Sequence, residues 1–254
     1  RKRAGIPEDA FVVSMFAMNQ GRKQQPLVME GFAAFCQDKP DALLYFDCAK
    51  ESPAGWSLPK MAANIGLDAK RIMYRDDIVQ RVPQIRERYA LSDVHSPLAS
   101  REGYGLPVHE AAACGIVNVA LDWCAATEML ENGRGILIPP MKGSDGKPFM
   151  LRGTWGGAHD CFPDMVEYVK ALNLLYTDRT IRERLARAGY EWAIAQTWET
   201  ATNQLEAVIR EAVKRKPAVK PPPEVKEGKW PFAMSNTAGA AAEDRPVVQN
   251  DHNI

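Results

Sequence analysis

The sequence predicts an α/β fold, a parallel sheet flanked by helices. Short apolar, β-branched runs recur through the first 138 residues, and segments of helical periodicity lie between them. Their spacing is that of βαβ units joined by right-handed crossovers. Residues 10–16 form the first strand and residues 26–37 the first helix, with Leu27, Phe32 and Phe35 at helical spacing. Residues 42–46 make the second strand, 58–65 a short helix after Trp56, 71–74 a third strand and 85–91 a helix. The fourth strand is expected over 92–96, followed by a helix over 107–114 and a buried strand over 116–121. A helix over 125–131 ends at Asn132-Gly133, and residues 135–138 give a sixth strand before Pro139-Pro140. Residues 141–162, rich in glycine and turn formers, read as a long loop or lid. Asp164 suits the N-cap of a helix reaching about Tyr176, and helices follow over 180–196 and 198–213. From Lys214 the prolines, lysines and polar residues cannot bury much surface. The expected division is therefore a domain over 1–213 and an extended or disordered tail over 214–254, with Trp230-Pro231-Phe232 as its one candidate docking element.

The 254 residues are 46% hydrophobic and 25% charged, the balance of a soluble globular protein. Thirty-two basic residues offset thirty-two acidic ones, so no global field recruits nucleic acid or an anionic membrane. Any phosphate site must be local. The five cysteines have neither C-x-x-C spacing nor metal-ligand clustering, and no apolar run approaches twenty residues. A reducing, cytoplasmic setting without a metal site is the expectation.

One stretch carries chemistry: Glu102-Gly103-Tyr104-Gly105-Leu106-Pro107-Val108-His109-Glu110, running on to Gly115. Gly103 and Gly105 allow close backbone approach and φ values that other residues avoid. Pro107 suits the first helical position, where its missing N–H costs nothing. The open N–H groups of that first turn and the helix dipole favour an anion such as phosphate. Glu110, one turn in, and Glu102, in the preceding loop, offer acceptors for ligand hydroxyls. Ligands of parallel sheets bind beyond the carboxyl ends of the strands, where this loop falls. A sugar nucleotide suits such a pocket.

The stretch resembles the E-G-[FY]-G-[LI]-P-x-x-E-A-x-A-x-G signature of retaining glycosyltransferases of the GT-B fold, family 4 (glycosyltransferase group 1). The likeness covers about residues 1–212 and is strongest over 92–138. It implies a Rossmann-like parallel sheet, the C-terminal half of a GT-B fold, that binds a nucleoside-diphosphate sugar as donor. It further implies that Glu110 holds the ribose hydroxyls and Glu102 the transferred sugar. Gly103, Tyr104, Gly105 and Leu106 then offer backbone N–H groups to phosphate and sugar. No metal or other cofactor is needed in that scheme. Because the chain opens at Arg1 without methionine, as though already under way, the resemblance further suggests a fragment lacking an N-terminal acceptor-binding domain.

The loop after the first strand, Met18-Asn19-Gln20-Gly21-Arg22-Lys23, reaches the same crevice. The resembling enzymes place an arginine and a lysine here against the diphosphate, one variant reading R-N-x-x-R-K. Asn19, Arg22 and Lys23 match it, and Met18 replaces its first arginine. Fixed cations are required chemically, because negative charge grows on the departing diphosphate. Glu128, opening a helix after the fifth strand, matches an acidic donor contact, although acids are also common at helix starts. His95 and His109 have no partner at metal or nucleophile spacing and read as structural. Arg75-Asp76-Asp77 falls where the family holds the base, without identifying it. Competing readings are a nucleotide-binding module working with a partner chain and a GT-B-like sugar-nucleotide epimerase. A nicotinamide-dependent dehydrogenase is disfavoured because no G-x-G-x-x-G follows the first strand.

Overall fold

The computed structural model describes residues 1–75, 82–153 and 158–215. Two compact units divide the chain between Ala201 and Thr202. The first holds a six-stranded parallel sheet of order β3-β2-β1-β4-β5-β6. Its strands are β1 (Phe11–Phe16), β2 (Ala42–Asp47), β3 (Ile72–Arg75), β4 (Val94–His95), β5 (Val117–Leu121) and β6 (Ile136–Ile138). The helices α1 (Gln25–Phe35), α2 (Leu58–Asn64), α3 (Val82–Tyr89), α4 (Leu106–Ala113) and α5 (Ala125–Leu130) connect them. After the sheet come a hairpin of β7 (Met150–Arg152) and β8 (His159–Cys161), then α6 (Met165–Thr177), α7 (Arg179–Ala195) and α8 (Trp198–Lys214). The described part of the second unit is the remainder of α8 and Arg215.

Every residue of β1 is buried, and alternate side chains serve two cores. Phe11, Val13 and Met15 pack with Val28, Met29 and Phe32 of α1 and Leu172 and Leu175 of α6. Val12 and Phe16 belong to a second cluster with Tyr45, Tyr89 and Ala111 on the opposite face. Cover on both faces is why these strands are continuous apolar runs rather than alternating ones. Asp164 caps α6 by accepting from Val166 N at 2.9 Å and Glu167 N at 3.2 Å. Asp178 caps α7 by accepting from Ile181 N at 2.9 Å.

All six expected strands form, with β4 reduced to two residues from the five expected. The expected loop over 141–162 contains the β7–β8 hairpin. Gly115 ends α4 at φ 73°, a left-handed C-terminal stop. No described helix is long and apolar enough to cross a membrane. The tail beyond residue 215, with Trp230-Pro231-Phe232, and Asp76-Asp77 lie outside the described residues.

Candidate functional site

Strand order reverses direction between β1 and β4, so the loops leaving these two strands diverge and open a crevice at the carboxyl edge of the sheet. The sequence puts its best candidates on those two loops. After β1, a short 3-10 turn (Gly21–Lys23) presents Arg22 and Lys23, and after β4 the chain presents Glu102. The three side chains meet. Arg22 Nη1 donates to Glu102 Oε2 at 3.1 Å, and Lys23 Nζ pairs with Glu102 Oε1. Lys23 is a buried cation, and this carboxylate is its counter-ion. The pair closes the crevice down to about 20 Å³ between Phe16, Gly105, Pro107 and Trp123, room for about one water molecule.

The loops are braced by backbone bonds. Ser100 N donates to Arg22 O at 2.9 Å, and Gly21 N to Ala54 O at 3.1 Å. Asn19 belongs to this bracing. Its amide donates to Ala49 O at 3.0 Å and Trp56 O at 2.8 Å and accepts from Trp56 N at 2.9 Å. Those three bonds tie the β1 loop to the loop after β2, leaving Asn19 buried with its amide engaged by protein. Gly55 makes the close approach possible, since a Cβ there would stand 2.5 Å from the Asn19 carbonyl oxygen.

The glycine loop leads into α4. Gly105 is its N-cap at φ 87°, a left-handed conformation that disfavours any side chain. Gly103 is not in that region, and a Cβ there would meet nothing within 4 Å; its glycine leaves an open face rather than permitting a turn. Leu106, exposed, takes the first helical position and Pro107 the second, one later than expected, where its missing N–H is equally harmless. Among the described residues the backbone N–H groups of Gly103, Tyr104, Gly105 and Leu106 donate to nothing.

Glu110 is half-buried on the first turns of α4 and accepts from Tyr89 Oη at 3.0 Å. Tyr89 stacks on Phe16 with ring centroids 3.8 Å apart. Burial, and secondarily the Glu110 charge, push the Tyr89 phenol far up, so it stays a donor that orients the carboxylate. Nothing in the sequence near residue 89 announces this role. Exposed Tyr104 lies 2.7 Å by its hydroxyl from His109 Nδ1, and His109 Nε2 lies 3.0 Å from Ala193 O of α7. A carbonyl only accepts, so Nε2 carries the proton and Nδ1 accepts from Tyr104. Glu128 is exposed on the first turn of α5 and lines neither the crevice nor the larger cleft beside it.

His95, at the end of β4, is fully buried. It accepts from Phe16 N at Nε2 (3.3 Å), so its other nitrogen donates to Asn118 Oδ1 at 2.8 Å. Burial, then the charge of nearby Lys23, lower its pKa to about 4 against the Asn118 bond that raises it. The folded chain refuses a proton that the unfolded chain accepts near pH 6.5. Stability is therefore complete above pH 6.5 and falls by about 3 kcal/mol as pH drops toward 4. Urea unfolding at pH 7 and 4.5 checks this against His95→Gln, which should lose less on acidification; equal losses would refute the assignment.

Among the described residues no group of His, Cys, Asp or Glu is arranged to hold a metal. The five cysteines are free thiols: Cys36, Cys48 and Cys161 buried, Cys114 half-buried at the end of α4, Cys124 exposed.

The sheet and its order give the chain a Rossmann-like α/β fold that matches glycosyltransferases of the GT-B architecture. It superposes on the C-terminal domain of the glycosyl transferase group 1 family protein LpcC from Francisella tularensis with a TM-score of 0.59 at 19% identity, over 77% of this chain and 89% of that one. Anabaena HepE, solved in complex with UDP-glucose, matches with a TM-score of 0.63 at 19% identity, over 84% of this chain and 51% of HepE. In sequence the chain is 26% identical over 221 residues to the D-inositol 3-phosphate glycosyltransferase of Kribbella flavida, covering 84% of this chain and 46% of that enzyme. The Thermobifida fusca enzyme of the same name is 24% identical over 225 residues, covering 45% of its length. The chain thus spans under half the length of these relatives. No family model matches it.

Proposed function

We propose that this chain is the donor-binding half of a retaining glycosyltransferase that uses a nucleoside-diphosphate sugar. The observation that carries the reading is the meeting of Lys23, Arg22 and Glu102 at the switch point, beside four backbone N–H groups without partners among the described residues. Its relatives are glycosyltransferases, and a structural neighbour holds UDP-glucose. In this reading the diphosphate enters the crevice over Gly103–Leu106. It takes Lys23 and Arg22 from Glu102, and the freed carboxylate turns to the sugar hydroxyls. Glu110, oriented by Tyr89, accepts from the ribose hydroxyls. Transfer breaks the bond from anomeric carbon to phosphate oxygen and forms one to the acceptor oxygen on the same face, while the departing phosphate takes the acceptor proton. Lys23 and Arg22 supply the charge that stabilises the leaving diphosphate, so the scheme requires no metal. The acceptor comes from a second domain or partner chain, because transfer needs both substrates held together.

The test is equilibrium binding of UDP, GDP, ADP and their sugar conjugates to wild type, Glu110→Ala and Glu110→Gln. One base should be preferred, and Glu110→Ala should weaken it by about 10- to 100-fold, the worth of hydrogen bonds to a charged acceptor. Glu110→Gln, which still accepts from Tyr89, should lose less. Unchanged affinity in both variants, or preference for nicotinamide dinucleotides, would sink the reading. Conversion of a sugar nucleotide to its epimer without acceptor would replace it.

A further inference from the structure

Simple α/β alternation fails between β6 and α6. There residues 139–164 leave the sheet and return through the β7–β8 hairpin, which pairs with none of the six parallel strands. The hairpin is tied to the site through a buried residue. Ser100 is fully buried, its Oγ 2.5 Å from Asp160 Oδ1 on β8 and 3.1 Å from Arg22 O. Its single proton bonds the nearer, charged acceptor. Arg101 Nε lies 3.0 Å from the same Asp160 oxygen, and Cys161 N donates to Ser100 O at 3.4 Å. One serine therefore links the β1 loop, the Glu102 loop and the hairpin.

These elements enclose a cleft of about 870 Å³ beside the crevice, a size typical of small-molecule sites. Its lining includes Arg22, Glu102 and Gly103 from the two site loops and Leu151, Arg152 and Phe162 from the hairpin segment. Three arginines and two carboxylates line the cleft. Arg22 pairs with Glu102 and Arg101 with Asp160, so Arg152 leaves one positive charge without an acidic partner among the described residues. Next to it Leu151 is 51% exposed, an apolar surface facing water.

We propose that this cleft is a second ligand subsite, for a polyol or sugar that carries an anionic group, phosphate or carboxylate. Arg152 holds the anion, Leu151 and Phe162 cover the carbon skeleton, and the hydroxyls face Glu102. The inference rests on the glycosyltransferase reading, in which Glu102 then stands between donor sugar and acceptor. Part of acceptor recognition then belongs to this chain rather than wholly to another domain.

Calorimetric titration of the full chain with D-glucose 6-phosphate, D-glucuronate and D-glucose tests this, with nucleoside diphosphates titrated in parallel. At least one sugar anion should bind about tenfold more tightly than glucose, as a charge-assisted Arg contact allows. The stronger of the two identifies the anion. Arg152→Gln should abolish that preference and leave nucleoside diphosphate affinity within about twofold, because the proposed diphosphate contacts are Lys23, Arg22 and the Gly103–Leu106 backbone and not Arg152. Anions binding no better than glucose, or a preference retained by Arg152→Gln, would overturn the subsite even if nucleoside diphosphates bind. Arg152-dependent anion binding without any nucleoside diphosphate binding would uphold the subsite and sink the donor reading instead.

Discussion

A Glu102→Gln chain is expected to bind a bare nucleoside diphosphate about tenfold more tightly than wild type, while its sugar conjugate gains nothing over the bare diphosphate. Both effects follow from one carboxylate with two employments. In the free chain Glu102 neutralises Lys23 and Arg22, with the Lys23 side chain only 10% exposed and that of Glu102 19%. A diphosphate must displace that carboxylate before it can reach the cations. Glutamine removes the competitor and leaves a buried cation uncompensated. Removing one partner of a fully buried pair costs about 3–5 kcal/mol, and the residual exposure here makes about 1–3 kcal/mol the expectation. The diphosphate restores that stability, so its thermal shift should be larger in the variant than in wild type. Calorimetry and thermal unfolding read both effects. A diphosphate affinity equal to or below wild type would mean that Glu102 does not compete for the cations.

The second large effect is expected at Lys23. Lys23→Ala should weaken nucleoside diphosphates by about 100-fold and leave the parent nucleosides nearly untouched, since the loss is of a charge-assisted contact to phosphate. In a complete enzyme the same substitution should lower kcat by about 10²–10³, the cost of removing one fixed donor from developing negative charge. Arg22 remains, half-exposed, and holds part of the charge. Equal weakening of nucleosides and diphosphates would show that Lys23 serves the loop fold rather than the phosphate.

Much of this fold is legible from residue order because its strands are buried on both faces. Phe11–Phe16 and Val117–Leu121 are apolar runs for that reason, and Gly115 marks the approach to the second. The glutamate loop is legible too, because Gly105 and Pro107 prescribe a backbone locally. What escapes the sequence is contact between distant residues. Met150–Arg152 and His159–Cys161 carry no strand periodicity, and Asp160 holds the hairpin through Ser100, sixty residues away. Asn19 matches a ligand motif by position, yet its amide is engaged 30 and 37 residues downstream. Tyr89 reads as the end of an ordinary amphipathic helix until its hydroxyl is seen on Glu110.

The placement of the hairpin has a consequence for exchange of parts. Residues 139–164 enter and leave the core at two adjacent points, where Asp164 N donates to Pro139 O at 2.8 Å. A segment whose ends already touch can be lengthened, shortened or replaced without altering strand register or the crevice. The constraint on any replacement is an acid at the place of Asp160, to meet Ser100 and Arg101. Under the function proposed above, such a scaffold changes its acceptor by swapping one cassette while the crevice between β1 and β4 stays fixed.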